Sequence, residues 1–384
     1  MRRQIRAGPG RLWHDVRDML KPLALAVAAT LVCVSLAVAQ AVPKAAPPVK
    51  DPVASTPQQD EAIRAGVDLH DKQQYDQAIA KYQQVLKENA DNVEALYEMA
   101  FSYLEKKDFA KSVETAQRGT TYKGEMLPMF YDLIATSFEE QGQLPQAVQV
   151  YKQALAVTPA SGLLYYNLAI TQREKLKDAM TARQTLKDGA AAAPDFPGVP
   201  VLLGQWFETD GYRTQSFVAL SRALVLDNSL QIYALWRRVL KGPENPMANN
   251  VMQDPDMRRS AAQTMKSPPA KTDEGDYAAV DARFAPAYAA FLEATEGDTP
   301  EIEALVAEVT VIVDAIVNAP ASSKPSFVGR RYVPFLAALK QKGYIEPFVY
   351  WACARAPVRG VREWLQANEG HVREFRQWAA SYKQ

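Results

Sequence analysis

Cysteine and histidine are nearly absent from this chain of 384 residues, which holds only Cys33 and Cys353 and only His14, His70 and His371. So little cysteine excludes a disulfide framework, and packing must supply the stability. No histidine pair has metal-ligand spacing, so no zinc site or other metal centre is expected. The Gly-rich phosphate cradle, the dinucleotide-binding glycine fingerprint and the nucleophile elbow are missing as well. Carboxylates are plentiful, but pairs such as Glu139 and Glu140 arise in any helical protein. These absences argue against an enzyme, and no catalytic residue or cofactor is expected. An excess of one charge is also lacking, with 44 basic and 44 acidic residues. Six of the basic groups (Arg2, Arg3, Arg6, Arg11, Arg17, Lys21) and only two acids (Asp15, Asp18) fall in the first 21 residues, leaving a mildly acidic body. Such a body offers no clustered cations for nucleic acid.

One long uncharged apolar run exists, Pro22 to Ala41, directly after the basic start. The order of positive flank, apolar stretch and Ala39-Gln40-Ala41 predicts a secretory signal over 1–41, cleaved after Ala41. An uncleaved membrane anchor is the competing reading, since the run approaches the ~20 residues that span a bilayer. Either way the positive-inside bias sends the body out of the cytoplasm. The expectation is a periplasmic protein or one anchored in the inner membrane and facing the periplasm. Removal of the signal would leave Cys353, beside Trp351, as a lone buried hydrophobe. Residues 42–57, rich in proline and alanine, read as an extended linker, and 241–276 reads as a second, proline-rich one. Between and beyond them, 58–240 and 277–384 carry helical periodicity.

Within 58–240 small residues recur. Gly66, Ala100, Ala135, Ala169 and Gly204 are separated by 34, 35, 34 and 35 positions. A second column reads Ala78, Ser112, Ala147, Ala182 and Ser216, followed four residues later by Tyr82, Ala116, Tyr151, Leu186 and Leu220. Between Phe130 and Pro159, Gly142 suits a left-handed helix exit and Pro145 a helix start, so the unit is a helix hairpin. Small side chains at Ala135 and Ala147 let the two axes approach, while Phe138 and Tyr151 fill the space beside them. In the second unit Ala116, Gly119 and Thr120 stand where larger residues pack elsewhere, so a looser second helix is expected there. In the fourth, Gln172 replaces the aromatic.

This pattern resembles the tetratricopeptide repeat family over about 59–228. The resemblance implies an all-α fold: five hairpins stacked as a solenoid, closed by a capping helix at Ser229 to Leu240. Helical spacing in 277–384, which resembles no family, predicts a second, smaller helical domain there. It also implies that the first helix of each pair lines a concave groove. At the family's ligand-contacting positions stand Tyr97, Phe101, Tyr166 and Ile170, an apolar surface suited to a protein or peptide partner. The lysines and asparagines with which chaperone-binding members clamp a terminal carboxylate are missing. Asp71, Glu105, Glu140 and Glu174 fall at one repeat position and form an acidic rim, either a solvated face or an attraction for basic ligands. The groove residues either meet a partner or are covered by this chain's own linker or C-terminal domain.

In 277–384, Asp298-Thr299-Pro300-Glu301 reads as a helix start with a capping box on Asp298. Ile302, Leu305, Val306, Val309, Ile312, Val313, Ile316 and Val317 continue it with helical spacing. The function expected is that of a non-enzymatic interaction scaffold of the bacterial cell envelope. The alternative is an envelope hydrolase or transferase whose active site lies in 277–384.

Overall fold

The computed structural model describes residues 41–242, 274–320 and 326–382. Residues 1–40 of the expected export segment 1–41 and most of the linker 241–276 lie outside the described residues. Among the described residues no helix is long and apolar enough to cross a membrane.

Five antiparallel pairs follow one another: α1 (Pro57–Asp71) with α2 (Tyr75–Glu88), α3 (Val93–Glu105) with α4 (Phe109–Gly119), α5 (Leu127–Glu140) with α6 (Leu144–Val157), α7 (Gly162–Ile170) with α8 (Ala179–Ala192), and α9 (Gly198–Thr209) with α10 (Arg213–Leu226). The capping helix α11 (Leu230–Lys241) lies against α10. Both columns of small residues are buried along their whole length. Their role is steric: a Cβ on Gly66 would enter the ring of Tyr82, and one on Gly204 would come within 2.6 Å of Leu220 Cγ. Each large side chain of the second column thus occupies the space its small partner leaves.

Every first helix exits through one left-handed residue, and Gln73, Lys107, Gly142, Lys177 and Gly211 occupy that place in turn. The amide of the next residue donates back to the last turn, as Gln143 N does to Phe138 O at 2.8 Å. Satisfying an orphan carbonyl in this way offsets the strain of positive φ in the three residues that are not glycine. The fourth pair differs. Its donor Asp178 N reaches Gln172 O, six residues back instead of five, and Thr171–Lys175 forms a π turn. One inserted residue is absorbed there. Gln172 is buried and its Oε1 accepts from Thr185 Oγ1 at 2.7 Å, so a hydrogen-bonded polar pair replaces the missing aromatic.

The looser helix expected in the second pair is not observed. Gly119 is buried against the ring of Phe130, and a Cβ there would clash with that ring. An aromatic from the following pair fills the volume.

Residues 44–56 form no helix, and they are not a free tether. Val49 N and Lys50 N both donate to Thr121 O at 3.0 Å, Lys123 N donates to Lys50 O at 2.8 Å, and Val53 N donates to Asp91 O at 3.1 Å. Farther back, Ala45 N donates to Gln153 Oε1 at 2.9 Å. The segment therefore runs as a strap from the third pair back to the first.

The C-terminal region contains α12 (Ala278–Glu296), α13 (Glu301–Val317), α14 (Phe327–Arg331), α15 (Val333–Gln341), α16 (Ile345–Ala352), α17 (Val361–Ala367) and α18 (Glu369–Ser381). Val309 to Val313 is helical within α13, with Ile302, Leu305, Val309, Ile312, Val313 and Ile316 buried. The expected capping box is absent: Pro300 is the N-cap and no side chain caps the helix. Asp298 has instead a φ of 68°, in the turn that leaves α12, which removes it from the extended geometry a cap requires. Cys353 is buried, and burial pushes its thiol up to about 12, so it behaves as a hydrophobe.

These helices share one continuous core with the last repeats, from Ala169 to Ala379. They approach from the side of the second helices, with α12 on α10 and α11, and with α14, α16 and α18 on α10. Polar contacts tie the seam at helix ends. Asp281 Oδ1 accepts from both Thr214 N (2.9 Å) and Thr214 Oγ1 (2.6 Å) in the first turn of α10. Arg331 Nη2 donates to Ala190 O at 2.6 Å, where α8 ends. At the seam's centre Arg237 Nη1 meets Glu308 Oε2 at 2.9 Å, with both side chains buried.

Candidate interaction groove

First helices touch their counterparts in the next pair, α1 with α3, α3 with α5, α5 with α7 and α7 with α9. Second helices make no comparable contact with one another. The stack therefore curves with the first helices inside, and the residues they project face the concave side.

Tyr97 and Phe101, four apart on α3, project together, their rings stacked at 6.3 Å and 20°. Both are half-buried. His70 extends the row, stacked on Phe101 at 4.7 Å, while its Nδ1 lies 2.8 Å from Ser102 Oγ. Phe130 closes the other side, edge-on to Tyr97 at 5.9 Å. His70, at the end of the first helix, is half-buried in this row.

Tyr166 and Ile170 on α7 are also half-buried, but they belong to a different patch. Tyr166 lies edge-on to Phe196 at 6.4 Å, and both Tyr166 and Ile170 pack against the core shared with the C-terminal helices. Among the described residues no ring contact joins Tyr166 to Tyr97 or Phe101. Between the two patches α5 presents Asp132, whose Oδ1 accepts from Tyr151 Oη at 3.0 Å and Asn167 Nδ2 at 2.6 Å. Burial raises its carboxyl above the ordinary aspartate value, against the lowering effect of those two donors. The inner wall thus alternates an aromatic row, a half-buried carboxylate and a second patch of mixed aromatic and aliphatic character.

Asp71, Glu105, Glu140 and Glu174 are all exposed at the ends of successive first helices. Cations intervene: Lys175 Nζ lies 4.0 Å from Glu140 and 2.8 Å from Glu139, and Arg173 Nε is 3.8 Å from Glu174. The rim is consequently a mixed, solvated edge, and its attraction for a basic ligand is screened.

Residues 69–127 match the Tetratricopeptide repeat family, and residues 137–175 match the TPR repeat family. No curated protein matches the chain. Among solved structures, a thermophilic TPR protein of Thermus thermophilus is 22% identical, with 48% of this chain and 100% of that one covered and a TM-score of 0.36. PilW, a widely conserved type IV pilus biogenesis factor, is 15% identical over 66% of this chain and 100% of its own, with a TM-score of 0.33. A tetratricopeptide repeat protein from Parabacteroides merdae is 10% identical over 74% and 100%, again with a TM-score of 0.33. The two family matches fall on the helix pairs built from the recurring small residues, and this part of the chain is built of tetratricopeptide repeats.

Proposed function

We propose that the protein is a non-enzymatic scaffold of the bacterial cell envelope that captures a protein or peptide segment in its concave groove. Tetratricopeptide repeats in general mediate protein–protein contacts, and stacked helix pairs present an extended inner surface for them. One observation carries the specific reading: the row of His70, Phe101 and Tyr97 stands half-exposed on the inner face, while the described C-terminal helices are packed against the second helices. Aromatic rings left partly in water on a rigid helical wall supply large contact area at small entropic cost. An amphipathic helix or extended segment fits such a wall. The placement in the periplasm rests on the basic and apolar start of the chain.

The test replaces Tyr97 and Phe101 together by alanine. Because both rings project from the core, the variant should unfold within a few degrees of the parent while its set of partners crosslinked in envelope extracts shrinks. An identical crosslinked set from parent and variant would overturn the reading.

A further inference from the structure

Beside the seam between the repeats and the C-terminal helices lies a small cleft of about 20 Å³, open to solvent on one side. Ala190, Pro194 and Phe335 form its apolar walls, and Arg222, Arg331 and Tyr332 supply its polar groups. Arg222, on α10, is only 6% exposed. A guanidinium so far from water ordinarily has a carboxylate partner. Among the described residues none lies within 4.0 Å of Arg222 or of Arg331. Arg222 makes one long bond, Nη1 to Ala379 O at 3.4 Å, and lies over the Phe335 ring at 5.4 Å. Arg331 spends one nitrogen on Ala190 O at 2.6 Å. The two cations oppose one another electrostatically, and Asp195, a carboxylate that acts on Arg222, is exposed. Between them Tyr332 is 5% exposed, and its buried hydroxyl has no hydrogen-bond partner.

Two guanidinium groups and an unpaired hydroxyl around one small cleft are the complement of an anion. A planar guanidinium offers paired N–H donors that match two oxygens of a carboxylate or a phosphate, and the phenol adds a third donor. We propose that this cleft binds a small oxyanion, a carboxylate or phosphate group, through Arg222, Arg331 and the hydroxyl of Tyr332. Arg222 comes from the last repeat and the other two from the C-terminal helices, so an anion bound there links the two parts. The site lies on the second-helix side of the stack and is independent of the groove.

The experiment uses the full chain, with inorganic phosphate and acetate as separate probes at ionic strength matched with sodium chloride. At least one probe should raise the melting temperature above that in chloride alone and give saturable heat by titration calorimetry. A response to phosphate alone assigns a phosphate group, a response to acetate alone assigns a carboxylate, and both support the shared chemistry. Tyr332→Phe should weaken binding about tenfold or more, the value of one hydrogen bond to a charged group. In chloride the same variant should be no less stable than the parent, because it removes a hydroxyl that has no partner. Arg331→Gln should weaken binding at least as much. Absence of any shift beyond chloride for both probes, or unchanged affinity in both variants, would overturn the proposal.

Discussion

Helices α6 and α10 occupy the same place in the third and fifth pairs, yet one lies in water on its outer side and the other is surrounded by protein. Ala147 and Ser216 stand in register, and both are buried against their first helices. One position on, Val148 is half-buried whereas Phe217 is fully covered. Gln149 and Lys152 on α6 are exposed, while Val218 and Ser221 in the same register on α10 are buried. Phe217 stacks on Trp236 of α11 at 5.8 Å and meets Phe284 of α12 edge-on at 5.7 Å. Ser221 Oγ accepts from Trp236 Nε1 at 3.0 Å. A solenoid helix needs one apolar stripe for its own pair and its neighbour. Apolar residues beyond that stripe mark a surface that something else covers. In this chain the cover is its own cap and C-terminal region.

The largest test of that contrast is truncation after Gly242. Loss of the C-terminal helices would expose Phe217, Val218 and Leu224, each worth about 1.5–3 kcal/mol when fully buried. The product should elute as aggregate in size-exclusion chromatography; a soluble monomer with a cooperative transition would break the comparison. Next comes the buried pair across the seam. Arg237→Ala leaves Glu308 charged and unpaired and should cost about 3–5 kcal/mol, whereas replacing both by Met and Leu should restore most of the stability. Urea denaturation measures both, and equal losses in the single and double variants would show that the ion pair itself stabilises the seam. Within the helices compared, Phe217→Ala should cost about 3–5 kcal/mol and Val148→Ala well under half of that. Similar losses would mean that burial does not distinguish α10 from α6.

The smallest effect is expected on the inner face. Burial lifts the Asp132 carboxyl above its ordinary value of 3.8. The folded chain then holds this proton more tightly than the unfolded chain, so the contribution of Asp132 to stability declines as pH rises through the window above 3.8. Asp132→Asn should leave stability near pH 4 little changed and raise it slightly near pH 7. Parallel pH profiles for parent and variant would sink this assignment.

Much of the fold is legible in the sequence. The small-residue columns, Gly142 and Pro145 specify hairpins because the steric requirement of close helix approach is local and periodic. The cap at Ser229 was readable for the same reason. Gln172 signalled an irregularity, but the π turn and the Thr185 partner depend on where an added residue can be absorbed. Gly119 misled because its filler, Phe130, comes from the next pair. Asp298 had the composition of a cap and the backbone of a turn. On α3 the spacing of four places Tyr97 beside Phe101. It could not show that Tyr166 and Ile170 join another patch, because their neighbours Phe196 and the shared core come from outside their own helix.

Sequence by itself determined what repeats: the helix pairs, their register and the inner placement of the first helices follow from side-chain sizes at fixed spacing. Tertiary structure alone decided what does not repeat. The strap laid along the first three pairs, the C-terminal helices on the outer side of α10 and the meeting of Arg222, Arg331 and Tyr332 are contacts between segments far apart in the chain. Shape and hydrogen bonding across the folded surface select such contacts, and no periodic signal in the sequence encodes them.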